Sequence, residues 1–180
     1  MNVLTFGPIM TAYLVSEGFS MSLIGVLRGV SCMMGLFGTF LFKHLSLMGM
    51  SLESSGFWAV TFQFTCLSLS YFSLYISDSL QSLIGLIVGV CMSRVGLWIF
   101  DISINQLMQL SVNEDVRGIV GGTQNALNAF MGVTAFALGL IFPDPSDFHI
   151  YVLSGYLAVG LAAANWYFGV YRKQPLPKLS

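Results

Sequence analysis

The sequence predicts an all-α membrane protein, a bundle of six helices of which the first is partial. Three observations carry this. Of 180 residues, 56% are hydrophobic and only 8% are charged, with a mean hydropathy of +0.80. The apolar residues fall into five runs long enough to cross a bilayer. The connections between those runs alternate in charge. Soluble domains carry about 25% charged residues, and a chain of this length has no core large enough to hide so much apolar surface. Lipid must therefore cover most of it. The net charge of −1 gives no reason to expect a nucleic-acid partner.

A membrane-spanning helix needs roughly 20 apolar residues. Ser22–Phe42, Ser54–Ile76, Leu83–Leu110, Val120–Phe142 and Ile150–Val170 each meet that length. Leu4–Val15 does not, since twelve helical residues rise only about 18 Å. It reads as the outward half of a span, with Pro8 where a helix kinks or breaks. The first positive charge is Arg28, so a signal peptide with a basic n-region is not expected. The organisation is one transmembrane lobe over residues 1–173 and a tail, Gln174–Ser180.

Orientation follows from the connections. Glu17–Ser20, Ser77–Ser82 and Pro143–His149 hold Glu17, Asp78, Asp144 and Asp147 and no Lys or Arg. The opposite side holds Lys43, Arg117, Arg172, Lys173 and Lys178. Basic residues mark the cytoplasmic side, so the C-terminus is expected in the cytoplasm of a multi-pass protein. Cys32, Cys66 and Cys91 all lie in apolar runs without a CxxC pattern and read as small buried hydrophobes. Met33–Met34 reads as packing rather than a soft-metal site.

Three charges remain inside spans: Arg28, Arg94 and Asp101. Such charges are costly in hydrocarbon and face a cavity or a partner. Seven positions turn a helix by about 700°, so Arg94 and Asp101 share a face, but they stand about 10.5 Å apart along the axis. That is too far for a direct pair. Trp98, Asn105 and Gln109 fall near the same line. The stripe Arg94–Trp98–Asp101–Asn105–Gln109 is expected to line a water-accessible path, with an interhelical polar seam as the alternative. The next span carries a matching seam, Gln124, Asn125 and Asn128, beside Gly118-x-x-x-Gly122, a spacing that permits close helix approach. Between the two lies NEDVRG, Asn113–Gly118, which reads as a solvated turn or as one half of a charged gate.

RVGLWIFDISINQLMQ followed by EDVRGIVGGTQNALN resembles the ferroportin family of iron exporters, and LTFGPIMTAYL with IGVLRGVSCMMGLFGT is most similar to its plant iron-regulated-transporter branch. The likeness runs from about Val3 to Lys173. It implies the C-terminal six-helix half of a major-facilitator-type transporter that exports ferrous iron or related divalent metal by alternating access. The chain would begin inside the family's broken seventh helix. The resemblance places Asp101 near the cytoplasmic gate, Arg117 as a gating arginine and Arg94 at the start of the same string. Two positions depart from the family. The cysteine and histidine that form the C-lobe metal site in animal ferroportins align with Pro8 and Ala135 here, and neither ligates a metal through its side chain. The same cysteine contacts the hormone hepcidin in vertebrates, so hepcidin is not an expected partner. His44 and His149 fall in loops on opposite sides. The expected partners are the lipid bilayer, a divalent metal ion as substrate, and a missing N-terminal lobe or a second copy. No bound cofactor is expected. A plasma or vacuolar-type membrane fits. No HExxH, GxSxG, P-loop or cofactor fingerprint is present, so an enzyme is not expected. The alternative function is a truncated half-transporter, inactive alone, that acts if at all as a membrane partner of full-length exporters.

Overall fold

A computed structural model describes residues 8–75, 79–141, 144 and 148–173. It contains six helices: α1 Pro8–Ser16, α2 Met21–Leu47, α3 Leu52–Ser73, α4 Ser79–Ser111, α5 Glu114–Ile141 and α6 Phe148–Gly169, followed by a 3-10 turn, Tyr171–Lys173. There is no strand among the described residues.

Local chemistry sets several of these ends. Ser20 and Ser51 cap α2 and α3, each accepting from a backbone N–H three residues on at 3.3 Å. Gly18 and Gly49 have positive φ, +88° and +80°, where the chain leaves α1 and α2. Only glycine takes that conformation without strain, and it is the usual residue just past a helix end.

The helices are packed through glycines. On α4, Gly85, Gly89 and Gly96 face α3, where an added Cβ would meet Ser73, Ser70 and Ala59. Ser70 Oγ also donates to the Leu86 carbonyl at 3.2 Å. On α2, Gly35 lies under the Trp98 indole and Gly38 against the Val95 carbonyl. Gly56 of α3 lies under Trp166 of α6, whose Nε1 donates to the Glu53 carbonyl at 3.0 Å. The core follows from these approaches. Leu14, Leu86, Val90 and Val152 are fully buried together, and Phe42, Ala59, Val95 and Ile99 form a second cluster further along α4. Tyr13 stacks on Phe148 at 4.1 Å and ties α1 to α6.

Several sequence expectations change here. Five full spans were expected, but only four described helices are long and apolar enough to cross a membrane: α2, α4, α5 and α6. The fifth expected span is α3. Its Ser55, Gln63, Ser70 and Ser73 are buried against protein, so it needs less lipophilicity than a lipid-facing helix. The turn expected at NEDVRG is mostly helix, because α5 begins at Glu114. Acidic residues in that first turn suit the positive end of the helix dipole. Pro8 is the first described residue of α1, and the stretch before it, where the break was expected, lies outside the described residues. His44 and His149 lie in the last turn of α2 and the first turn of α6 rather than in loops. Of the three cysteines expected to be buried, only Cys91 is: Cys66 is half-buried and Cys32 exposed. Met33 is exposed, whereas Met34 packs against the second cluster. Gly118 and Gly122 meet nothing within 4 Å, so that spacing joins no helices within this lobe. Leu4–Gly7 and the tail Gln174–Ser180 lie outside the described residues.

A side chain at Gly96 would stand 2.5 Å from the Ala59 carbonyl and 3.0 Å from the Gln63 backbone nitrogen. Gly96→Val is therefore expected to destabilise the lobe by about 1–3 kcal/mol through overpacking. Gly122→Ala, in open space, is expected to be neutral or to stabilise by up to about 1 kcal/mol through helix propensity. Thermal unfolding of the purified chain in detergent checks both.

Candidate translocation surface

The glycine seam fixes which face of α4 is left uncovered. Counting about 100° per residue from Gly96, Arg94, Trp98, Asp101, Asn105 and Gln109 all fall within about 40° of the opposite side. The structure agrees: Trp98, Asp101 and Gln109 are exposed, and Arg94 and Asn105 are half-buried. Nearer the start of α4 the exposed residues Ile84, Val88 and Met92 are apolar.

Each polar group on it is held differently. Arg94 reaches sideways to α2, where Nε donates to the buried Ser31 Oγ at 3.2 Å. Asp101 accepts from Asn105 Nδ2 at 3.4 Å, one turn along the same helix. Arg94 and Asp101 do not pair, and no basic side chain pairs with Asp101 among the described residues. Arg28, on α2, donates from Nη2 to Thr11 Oγ1 of α1 at 3.1 Å.

Arg117 closes the α4–α5 joint. Its Nη2 donates to the Val112 carbonyl at 3.2 Å, just beyond the last turn of α4. A cation there answers the free carbonyls at the negative end of the helix dipole. Its Nε is buried without a hydrogen-bond partner.

The α5 seam is the least supported part of the lobe. The helix has no buried residue. It touches its neighbours at a few points: Gly121 near Met108 of α4, Gly139 near Ile9 of α1, and the Leu138 carbonyl accepting from Tyr151 Oη at 3.0 Å. Gln124 is half-buried on the side of Gly121, whereas Asn125 and Asn128 are exposed. None of the three amides has a partner among the described residues. Thr123 donates to the Ile119 carbonyl of its own helix at 2.9 Å. The hairpin register sets Asp101 and Gln124 at similar distances in sequence from the Val112–Asn113 turn.

Ala135 is half-buried in α5, and Pro8 is the first residue of α1. Among the described residues, no group of three or more His, Cys, Asp or Glu could hold a metal ion. His44 and His149 sit at opposite ends of the bundle. The sequence reading missed Ser31 as the partner of Arg94; a serine in an apolar run gives no sign of which helix it faces.

Ser31→Ala leaves the Arg94 guanidinium without its protein acceptor and is expected to cost about 1–3 kcal/mol. Asp101→Asn, on the exposed face, is expected to leave the same unfolding transition in place. Thermal denaturation monitored by circular dichroism distinguishes them.

Comparison with known proteins places this lobe. The family profile Ferroportin1 (FPN1) matches residues 1–159. "Solute carrier family 40 member 1" of Arabidopsis thaliana is 36% identical over 171 residues, which is 95% of this chain and 32% of that protein. The Oryza sativa protein of the same name is also 36% identical, over 95% of this chain and 36% of its own length. Rat "Ferroportin" is 27% identical over 85% of this chain. The chain thus spans about a third of the length of the curated relatives it matches. Among solved structures, a bacterial metal transporter superposes with a TM-score of 0.88 at 26% identity, covering 96% of this chain and 45% of that one. A bacterial homologue of the iron transporter ferroportin in its outward-facing state gives 0.86 at 27% identity, over 92% and 41% of the two chains. The fold is one six-helix half of a major-facilitator-type transporter in an integral, multi-pass membrane protein. The chain belongs to the ferroportin family.

Proposed function

We propose that this lobe is the C-terminal half of an exporter of ferrous iron or a related divalent metal, and that its α4 stripe and α5 amides line the path. The observation that carries the reading is the position of the stripe. It lies on the side of α4 turned away from α3, where α2 touches Arg94 and Trp98 but Asp101 and Gln109 stay exposed, and it carries a guanidinium and a carboxylate that lipid would not tolerate uncompensated. Water or a second lobe resolves that cost.

A second observation supports alternating access. The chain superposes almost equally well on the outward-facing and inward-facing states of the bacterial homologue, with TM-scores of 0.86 and 0.85. A lobe that fits both states behaves as a rigid body, and the transition lies between lobes. In that scheme Asp101 and Arg117, at the basic end of the bundle, meet groups of the opposing lobe when the cytoplasmic side closes. Asn105 and Gln109 continue the path beside Asp101, and Gln124, Asn125 and Asn128 face it from α5. The C-terminus is cytoplasmic by the excess of Lys and Arg at that end. The metal crosses without a strong C-lobe ligand at Pro8 or Ala135, and no resident cofactor or hepcidin contact is assigned.

In a full-length relative, Asp101→Arg at the matching position is expected to lower metal export by roughly tenfold or more, with unchanged abundance in the membrane, because it sets like charges against each other at the gate. Export within about twofold of the parent, measured by loss of loaded metal from cells, overturns the gating role. An antibody to Tyr171–Ser180 gives the size of the native species. A band well above 19.7 kDa is expected; a band at that mass favours an inactive half that associates with longer exporters.

A further inference from the structure

Arg94 lies in the middle of a membrane-crossing helix with an incomplete set of partners. Among the described residues its guanidinium has one acceptor, Ser31 Oγ at 3.2 Å. Arginine offers five N–H donors and no acceptor. The carboxylate on its own helix, Asp101, stands two turns further in and is engaged by Asn105. One turn along the same seam, the Trp98 indole lies over Gly35 of α2, and Trp98 is exposed. Its Nε1–H has no acceptor among the described residues, and indole nitrogen can only donate.

The two rungs, Arg94 on Ser31 and Trp98 on Gly35, are each i,i+4 along their helices, so they follow one another about 6 Å along the axis. Around them the chemistry has one sign. Ser31 Oγ already accepts from Arg94 and keeps its own proton to give. Arg28 adds a second cation one turn outward on α2. A divalent metal would meet positive charge here.

We propose that the α2–α4 seam at Arg94 and Trp98 binds a small oxyanion of carboxylate or phosphate type. The planar guanidinium fork suits two oxygens of one group, and charge-assisted bonds to it are the strong kind. The indole N–H supplies a neighbouring point contact. The anion supplies the counter-charge that the lobe does not, beside a path proposed for cations. This inference rests on reading the stripe as open to water, but it is a claim about binding by the lobe itself.

The test uses the 180-residue chain purified into phosphatidylcholine nanodiscs. Tryptophan emission is titrated with citrate and with inorganic phosphate, against chloride at equal ionic strength. A saturable change is expected with the oxyanions alone. Trp98→Phe should remove the optical signal while calorimetry still detects binding. Arg94→Lys, which keeps the charge and loses the fork, should weaken binding at least about tenfold with helix content unchanged. An Arg94-dependent change that appears only when phosphatidic acid is added assigns the oxyanion to a lipid headgroup at the same site. No saturable change with citrate, phosphate or phosphatidic acid in the folded chain, or equal titrations for the parent and Arg94→Lys, overturns the site. That failure would leave metal export by full-length relatives untouched.

Discussion

The close approach of α4 to its neighbours governs the rest of the lobe. Gly85, Gly89 and Gly96 bring α3 against one side, and Gly35 and Gly38 of α2 bring the Trp98 and Val95 rungs against another. In a bilayer, helices gain little from apolar burial against each other, because lipid is as apolar as leucine. Dispersion across a tight seam and a few interhelical hydrogen bonds supply the association instead. The Ser70–Leu86 and Trp166–Glu53 bonds are of that kind.

The seam also decides which polar groups remain uncovered. The stripe from Arg94 to Gln109 is opposite the glycines, so holding α3 close leaves Asp101 and Gln109 on the surface. Helix α5 has the same property in stronger form. It crosses the lobe with no buried residue and with three amides unsatisfied among the described residues. Amides and carboxylates on a membrane-level surface require water, an ion or another protein surface. The same geometry therefore underlies both the stability of the lobe and its incompleteness as a lipid-facing object.

Charge is distributed along the stripe with a division of labour. Asp101 and Arg117 lie toward the basic end of the bundle. Arg94 lies deeper and is turned to α2 rather than along the stripe. Arg117 is half committed already, donating to Val112 across the α4–α5 joint and leaving Nε free. A residue so placed couples the angle between two helices to whatever its remaining donors meet.

The sequence by itself determined the class, the family and the stripe. Mean hydropathy and run length require lipid, and the seven-residue spacing of Arg94 and Asp101 puts them on one face of any α-helix, whatever surrounds it. Those are properties of one segment at a time. Tertiary structure decided what each segment faces. Ser31 became the acceptor for Arg94 only because α2 and α4 cross there. The serines and glutamine of α3 turned inward because α4 and α6 cover them, so this helix is more polar than the four that could face lipid on their own. Gly118 and Gly122, a packing spacing in the text of the chain, found open space, while Gly85 and Gly89, at the same four-residue spacing on α4, are packed against α3. Periodicity is written along one helix; a partner is fixed only when a second helix arrives.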